Sequence, residues 1–128
     1  MKTPKKKTIA IVAHDGKKAD MLQFVNDNKK KLSRFNIFAT KTTGTLIKEK
    51  VGLTVKCFRS GPYGGDAEIA AQVVDGRVHA VIFITDPLDA HPHDPDIHTL
   101  LRVCNVHNVP LATNIASADL LIKGYSGK

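Results

Sequence analysis

The segment from Ser60 to Asp66 has the composition of a small-ligand site, because it combines a hydroxyl, three glycines and one carboxylate. Glycine tolerates positive φ and lets a ligand approach the main chain closely. The segment therefore offers backbone amides and, in Asp66, a base that could take a proton from a bound molecule. A turn into a helix, with Asp66 near the helix N-terminus, has the same local sequence. Other segments must decide between these interpretations.

A second segment, from Thr40 to Gly44, is rich in threonine and precedes a helical pattern. A phosphate dianion binds to N–H donors, hydroxyls and positive charge, and a threonine-rich turn at a helix N-terminus supplies the first two. Lys18, early in another predicted helix, could supply the compensating charge. The alternatives are that Thr42 or Thr43 only caps the helix, and that Lys18 faces solvent.

Histidines follow two strand-like runs, at His14 and within the segment from Asp86 to Asp96. A neutral imidazole can polarise a carbonyl group by donating a hydrogen bond, although a loop histidine is otherwise often a surface or capping residue. The second segment also suggests a metal site, but its prolines restrict the geometry and no cysteine joins it. We therefore predict no metal. The side chains of this cluster are His91, His93, Asp94, Asp96 and His98.

Short apolar runs alternate with helical patterns along the chain. This alternation is typical of parallel βαβ units, and the run Val81–Ile84 lacks a polar alternate, as expected of a central strand covered on both faces. We predict a three-layer α/β/α sandwich with a five-stranded, mainly parallel sheet. The predicted strands are 8–13, 36–39, 54–59, 80–84 and 110–112, and the predicted helices are 17–32, 44–50, 66–75, 94–107 and 115–122.

The polar segments all fall where a predicted strand ends and a helix begins. In open α/β sheets, ligands bind beyond the carboxyl ends of the strands. His14 and Asp15 follow the first strand, residues 40–44 the second, 60–66 the third and 86–96 the fourth. Their convergence on one edge of the sheet favours a shared binding site over separate helix caps.

Size and composition are those of one globular domain. The 128 residues suffice for a single core, 42% of them are apolar, and no apolar run approaches the length of a membrane span. The lysine-rich start runs into the first strand without a signal-peptide core, so we expect a soluble cytoplasmic protein. Cys57 and Cys104 lie far apart in apolar surroundings, which favours two reduced, buried thiols over a disulfide.

The formal net charge of +7 could favour nucleic acid as a partner. Much of this charge lies in residues 2–7 and 29–31, and no aromatic pattern for base stacking interleaves the lysines. Solvated charge is the simpler interpretation, and a positive field would also concentrate an anionic substrate. We therefore predict neither a nucleic-acid nor a membrane partner.

Together these segments resemble the methylglyoxal synthase family, in their order and in their separations. The resemblance runs from Thr8 to about Ile122. It implies a methylglyoxal synthase-like, Rossmann-like fold and a lyase that converts dihydroxyacetone phosphate to methylglyoxal and inorganic phosphate, without a cofactor or metal. It also implies a homohexamer, with inorganic phosphate as product and inhibitor.

The resemblance also implies roles for individual residues. Asp66 would be the catalytic base, and His93 would donate a hydrogen bond to the carbonyl or enediolate oxygen. Asp96 would orient His93 or share the proton transfers of Asp66, unless Asp94–Asp96 is only a helix start. Asp15 would hold Lys18 or contact a neighbouring subunit. The implied substrate and phosphate contacts are His14, Lys18, Thr40, Lys41, Thr42, Thr43, Ser60 and Gly61.

Two features depart from the family pattern. Lys41 replaces a common glycine, and its charge could strengthen phosphate binding or point to solvent; we favour solvent because the flanking threonines fill the inner surface. The chain also stops soon after Tyr125, whereas longer members continue into a tail with an arginine. A noncatalytic effector-binding domain, as in carbamoyl phosphate synthetase, would have the same fold. Asp66 together with His93 favours the enzyme, because an effector sensor needs no base.

Overall fold

A computed structural model describes residues 6–60, 63–88 and 94–126, without the side chains of residues 94–97 and 126. Within these ranges the strands are β1 (Thr8–Ala13), β2 (Asn36–Thr40), β3 (Lys56–Phe58), β4 (Ala80–Ile84) and β5 (Leu111–Ala112). The α-helices of the same ranges are α1 (Lys18–Asp27), α2 (Lys29–Leu32), α3 (Lys41–Lys50), α4 (Gly65–Val74), α5 (Asp94–Val106) and α6 (Ile115–Ser126). A 3₁₀ turn at Asp15–Lys17 leads into α1.

The strands form one sheet in the order β3-β2-β1-β4-β5, and all neighbouring strands pair in parallel. The chain first builds outward from β1 to β3 and then crosses back to add β4 and β5 on the other side of β1. The strand order therefore reverses between β1 and β4, which is where ligands bind in open parallel sheets. The predicted five-stranded parallel sheet is confirmed.

Both faces of the sheet are covered by helices, because successive side chains of a strand point to opposite faces. Ile9 and Ile11 of β1 pack into a cluster that includes Met21 of α1, Ile47 of α3 and Ile122 of α6. The intervening strand residues point to the other face, where they meet α4 and α5. That second cluster includes Ala10, Val12, Val81, Phe83, Ile69, Val73, Leu100 and Cys104. The predicted three-layer sandwich is therefore confirmed.

Three predicted helices differ from the observed ones by more than one residue, whereas α4 (Gly65–Val74) and α5 (Asp94–Val106) differ from the predicted 66–75 and 94–107 by at most one residue at each boundary. The predicted helix 17–32 is divided at Asn28, whose side chain donates a hydrogen bond to the Phe24 carbonyl at 2.9 Å and competes with the helical ladder. The helix α3 begins at Lys41 rather than Gly44, because Thr40 has extended geometry and serves as the N-cap. The helix α6 continues beyond Ile122 to Ser126.

The edge strand β3 is shorter than predicted, since it pairs only with β2 and only over Lys56–Phe58. Both cysteines are free, as predicted. Cys104 is buried, and burial raises the pKa of its thiol to about 11. Cys57 is only half-buried, which corrects the prediction that both thiols are buried. Within the described ranges, no helix combines the length and apolar character needed to cross a membrane.

His79 connects the start of the sheet with the end of the chain. Its Nδ1 accepts a hydrogen bond from the Thr8 N–H at 3.0 Å, and its carbonyl accepts one from the Tyr125 hydroxyl at 3.0 Å. The Tyr125 ring in turn packs edge-on against Phe35. Burial, and secondarily the charge of Lys7, lower the pKa of His79 below its ordinary 6.5. The imidazole is therefore neutral and accepting near neutral pH.

Acidification is expected to destabilise the protein through His79. Because the pKa of His79 is lower in the folded protein, the unfolded chain binds more protons as the pH falls. The contribution of His79 to stability is therefore complete above the unfolded pKa near 6.5 and is lost as the pH falls below it. The His79→Asn variant keeps an acceptor for the Thr8 N–H but does not titrate. Its melting temperature should fall less between pH 7.5 and pH 5.5 than that of the parent. Equal falls in both proteins would rule out this role of His79.

Candidate active site at the carboxyl edge of the sheet

The segments predicted to form the site begin at the carboxyl ends of four parallel strands. His14 follows β1, Thr40 ends β2, Ser60 follows β3 and Asp86 follows β4. Since parallel strands all end at the same edge, these residues share one side of the molecule. His14 and Asp86 flank the point where the strand order reverses. The convergence predicted from the sequence is therefore present in the fold.

Asp66 is a buried carboxylate in the first turn of α4, with 1% of its surface exposed. Aspartate is among the residues least often buried to this extent. The helix N-cap is Gly64, at φ 92°, so Asp66 does not cap the helix, although it lies near the helix N-terminus as the alternative interpretation also expects. A buried carboxyl group at a ligand-binding edge suits the role of a base.

Gly65 fixes the approach of α4 to the end of β3. A Cβ at Gly65 would overlap the Arg59 carbonyl oxygen and would lie 2.7 Å from the Arg59 carbonyl carbon. The Gly65 N–H donates to the Ser60 carbonyl at 3.1 Å. Only a residue without a side chain permits this approach. The position of Asp66 therefore depends on the glycine before it.

The threonine-rich segment opens α3 instead of forming the loop before it. Thr43 is fully buried, and its Oγ1 has no hydrogen-bond partner among the residues that the structure describes. Thr40 is also buried, whereas Lys41 and Thr42 are exposed. A buried hydroxyl beside the amides of a helix N-terminus suits an anion. The exposure of Lys41 agrees with the solvent-facing alternative.

The helix α3 is held in place by a second close approach. A Cβ at Gly44 would collide with the Sγ atom of Cys57 on β3. The start of α3 therefore lies directly against the strand that leads to Ser60. This contact fixes the predicted phosphate segment 40–44 relative to β3, the strand that leads to the second predicted phosphate segment at Ser60.

Lys18 points toward the sheet edge rather than to solvent. Its ammonium donates to the Ala13 carbonyl at 2.7 Å and lies 3.2 Å from the Asp15 carboxylate. Its side chain is 16% exposed, whereas that of Asp15 is 98% exposed. An ammonium has three N–H donors, and these two contacts use two of them. Within the described part of the chain, the third remains for an anionic ligand.

His14 is held in one tautomer. Its Nδ1 accepts a hydrogen bond from the Asp86 N–H at 2.9 Å, and its ring meets Phe83 edge-on with centroids 5.1 Å apart. An accepting Nδ1 requires that the neutral ring carries its proton on Nε2. The side chain is 6% exposed. Nε2 is therefore a donor at a mostly buried position, as required for contact with a substrate oxygen.

Residues 20–113 match the family model described as the MGS-like domain. This chain belongs to the methylglyoxal synthase-like family. A protein named methylglyoxal synthase from Borrelia garinii subsp. bavariensis is 50% identical over 121 residues, which are 94% of this chain and 96% of that protein. Another with the same name, from Carboxydothermus hydrogenoformans, is 54% identical over 118 residues, covering 92% of this chain and 98% of the relative.

A solved structure supports the same assignment. The crystal structure of methylglyoxal synthase from Elizabethkingia anophelis matches with a TM-score of 0.87 and 44% identity, covering 93% of this chain and 78% of that chain. The family resemblance and the fold predicted from the sequence are both confirmed.

Three predicted site residues of this family member lie wholly or partly outside the described structure. Gly61 and His93 fall outside the described residues, and only the backbone of Asp96 is described, within the first turn of α5. Their roles stay predictions. Among the described residues, no group of three or more potential ligands could hold a metal ion.

Two positioning contacts were not predicted. The Asp86 N–H fixes the His14 tautomer, and the Glu68 carboxylate accepts a hydrogen bond from the Arg59 N–H at 2.9 Å. An acid in the first turn of a helix is a weak sequence signal for the second contact. The first leaves no sequence signal, since any residue except proline has a backbone N–H.

Proposed function

We propose that this protein is a carbon–oxygen lyase that converts dihydroxyacetone phosphate to methylglyoxal and inorganic phosphate. The observation that carries the proposal is the buried Asp66 carboxylate at the sheet edge where α3 presents the buried Thr43 hydroxyl. A base and an anion site are the two groups that proton abstraction from a phosphate ester requires. The names of the relatives support the same reaction.

Asp66 begins the reaction by taking a proton from the hydroxymethyl carbon of the substrate. The electrons of the C–H bond form the carbon–carbon double bond of an enediolate, and the carbonyl oxygen takes the negative charge. A carboxylate is a weak base for a carbon acid, so it must lie within hydrogen-bond reach of the proton in a site that excludes water. The burial of Asp66 meets the second requirement.

Donors stabilise the charge that develops on the enediolate oxygen. His14 offers Nε2–H, because Nδ1 is occupied by the Asp86 N–H. His93, which lies outside the described residues, is the second donor on the family assignment. Fixed donors directed at a developing charge stabilise a transition state without reorganisation.

Expulsion of phosphate completes the reaction. The hydroxyl proton on the former hydroxymethyl carbon passes to the enediolate oxygen, and the oxygen left charged forms the aldehyde carbonyl. The double-bond electrons shift toward the phosphate-bearing carbon, the C–O bond to phosphate breaks with its electron pair, and phosphate takes back the proton held by Asp66. The remaining enol takes up a solvent proton on its CH₂ carbon to form the methyl group and loses its hydroxyl proton to form the ketone. Electrons move only within the substrate, so the reaction needs no external oxidant or reductant. The leaving dianion is held by the α3 amides, Thr43 and Lys18.

Replacing Lys18 should weaken the binding of both substrate and phosphate. Lys18→Ala is expected to raise KM and the inhibition constant of inorganic phosphate together, by roughly tenfold, the size of a lost charge-assisted hydrogen bond. Lys17→Ala is the matched control, because the side chain of Lys17 pairs with exposed Asp20 at 3.6 Å and with no other described residue. Steady-state assays with and without inorganic phosphate measure KM and the inhibition constant for both variants. Unchanged constants in Lys18→Ala would remove Lys18 from the phosphate site.

His14 variants should separate its two hydrogen bonds. His14→Asn keeps an acceptor for the Asp86 N–H but loses the Nε2 donor, so kcat/KM should fall roughly tenfold to a hundredfold, as for a lost bond to a charged oxygen. His14→Gln places an amide donor near Nε2 and should lose less activity but more thermal stability. Normal kcat/KM in His14→Asn would show that Nε2 does not contact the substrate.

Assembly and location extend the proposal. On the family resemblance, we propose a homohexamer in the cytoplasm, with inorganic phosphate as an inhibitor that shares the substrate's binding group. Light scattering of the purified protein tests the assembly, and a particle of any other mass than six chains contradicts it.

Assay of both products tests the proposed reaction. The purified protein is mixed with dihydroxyacetone phosphate in the presence of a chelator, and methylglyoxal and phosphate are quantified together. Equal formation of both, above a protein-free control, is expected. Substrate binding without turnover would instead favour the effector-binding alternative.

A further inference from the structure

Glu68 joins the two ends of the loop that precedes the candidate base Asp66. Its Oε1 accepts a hydrogen bond from the Arg59 N–H at 2.9 Å, and its Oε2 lies 3.7 Å from Nη1 of the same arginine. Arg59 directly follows β3, whereas Glu68 lies in the first turn of α4. The contact therefore spans the whole loop between strand and helix.

The bond to the backbone is the more important half of this contact. The Arg59 side chain is 72% exposed and that of Glu68 is 34% exposed, and exposed ion pairs contribute little because water and salt screen them. A backbone N–H, in contrast, has a fixed position, and its bond to a carboxylate is charge-assisted. Glu68 therefore acts mainly by fixing the main chain at the end of β3.

Further contacts hold the same loop. The Ser60 carbonyl accepts hydrogen bonds from the N–H groups of Tyr63 at 3.0 Å and Gly65 at 3.1 Å. Gly65 also lies against the Arg59 carbonyl, as described above. The loop has Ser60, a candidate phosphate contact, on one side and Asp66, the candidate base, on the other. Every contact across it therefore sets the distance between these two groups.

We propose that Glu68 is a positioning residue that sets the Asp66 carboxylate relative to phosphate bound at Ser60. The proposal rests on the proposed function. A displacement of about 1 Å in reacting groups can cost about a hundredfold in rate, whereas each group keeps its own affinity. Loss of the Glu68 bond therefore lowers turnover and leaves phosphate binding unchanged.

Three variants separate the parts of the contact. Glu68→Ala removes both interactions, Glu68→Gln keeps an acceptor for the Arg59 N–H, and Arg59→Gln removes only the side-chain pair. In Glu68→Ala, kcat should fall about tenfold, with the inhibition constant of inorganic phosphate within about twofold of the parent. The other two variants should retain most of the turnover. Glu49→Ala is a matched control, because Glu49 is an exposed glutamate on α3.

If Glu68 had only a structural role, Glu68→Ala would lower the melting temperature, but kcat would stay the same once it is divided by the concentration of protein that binds phosphate. That result would overturn the proposal. Equal losses in Glu68→Gln and Glu68→Ala would also overturn it. If Glu68→Ala does not fold, Glu68→Asp, which withdraws the acceptor by one methylene, must still lower kcat. Amide exchange at Arg59 is independent of turnover. It should quicken in Glu68→Ala but not in Glu68→Gln, even if the proposed reaction proves wrong.

Discussion

Asp66→Asn is expected to abolish most turnover while leaving the fold and phosphate binding intact. The amide nearly matches the carboxylate in shape, so α4 should keep its approach to β3, but an amide does not accept the substrate proton. Loss of a general base typically costs about a hundredfold to ten-thousandfold in rate. Steady-state assays, circular dichroism and phosphate inhibition measure the three properties separately.

The matched control for this substitution is Asp20→Asn. Asp20 is also an acid in the first turn of a helix, but 60% of its side chain is exposed and it pairs only with Lys17 among the described residues. Its turnover should equal that of the parent. Near-normal turnover in a folded Asp66→Asn protein would remove Asp66 from the mechanism.

Gly65→Ala is expected to cause a large loss of both stability and activity. The new Cβ would overlap the Arg59 carbonyl oxygen, which is backbone and has no rotamer with which to move aside. Overpacking of this kind costs about 1–3 kcal/mol, occasionally more, which corresponds to a fall of roughly 5–15 °C in melting temperature for a domain of this size. Asp66 must move with the helix, so kcat should fall in the fraction that remains folded.

Gly124→Ala is the control for the glycine substitution. Gly124 lies in α6, and a Cβ there would meet no atom of the described residues outside its own stretch of helix within 4 Å. Alanine is the better helix former by about 0.5–1 kcal/mol, so the melting temperature should stay the same or rise slightly. Equal melting temperatures of Gly65→Ala and Gly124→Ala would show that the close approach of α4 to Arg59 leaves room for a side chain at residue 65.

The sheet and its burial were predictable because they depend on residue pattern alone. The uninterrupted apolar run Val81–Ile84 predicted a strand covered on both faces, and β4 is buried at every position. Strand-end polar residues predicted the edge that holds the site, since parallel strands must all end there. The placement of His14, Thr40 and Asp66 follows from the same rule.

Local geometry within the site was less predictable. Threonine has low helix propensity, so the segment at Thr42 and Thr43 read as a loop, yet it forms the first turn of α3. The close approach of Gly44 to Cys57 is a tertiary contact that local propensity does not include. Whether Lys18 faced solvent or the site likewise depended on the Ala13 carbonyl, which only the fold brings within 2.7 Å.

The most direct test of the proposed reaction is nuclear magnetic resonance of dihydroxyacetone phosphate turned over by this protein in D₂O with a chelator. The Asp66→Asn protein supplies the background, because the substrate also decomposes slowly on its own. The account predicts equal amounts of phosphate and methylglyoxal well above that background, with one deuterium in the methyl group, since the final proton comes from solvent. Phosphate without methylglyoxal, or bound substrate that stays intact, would contradict it.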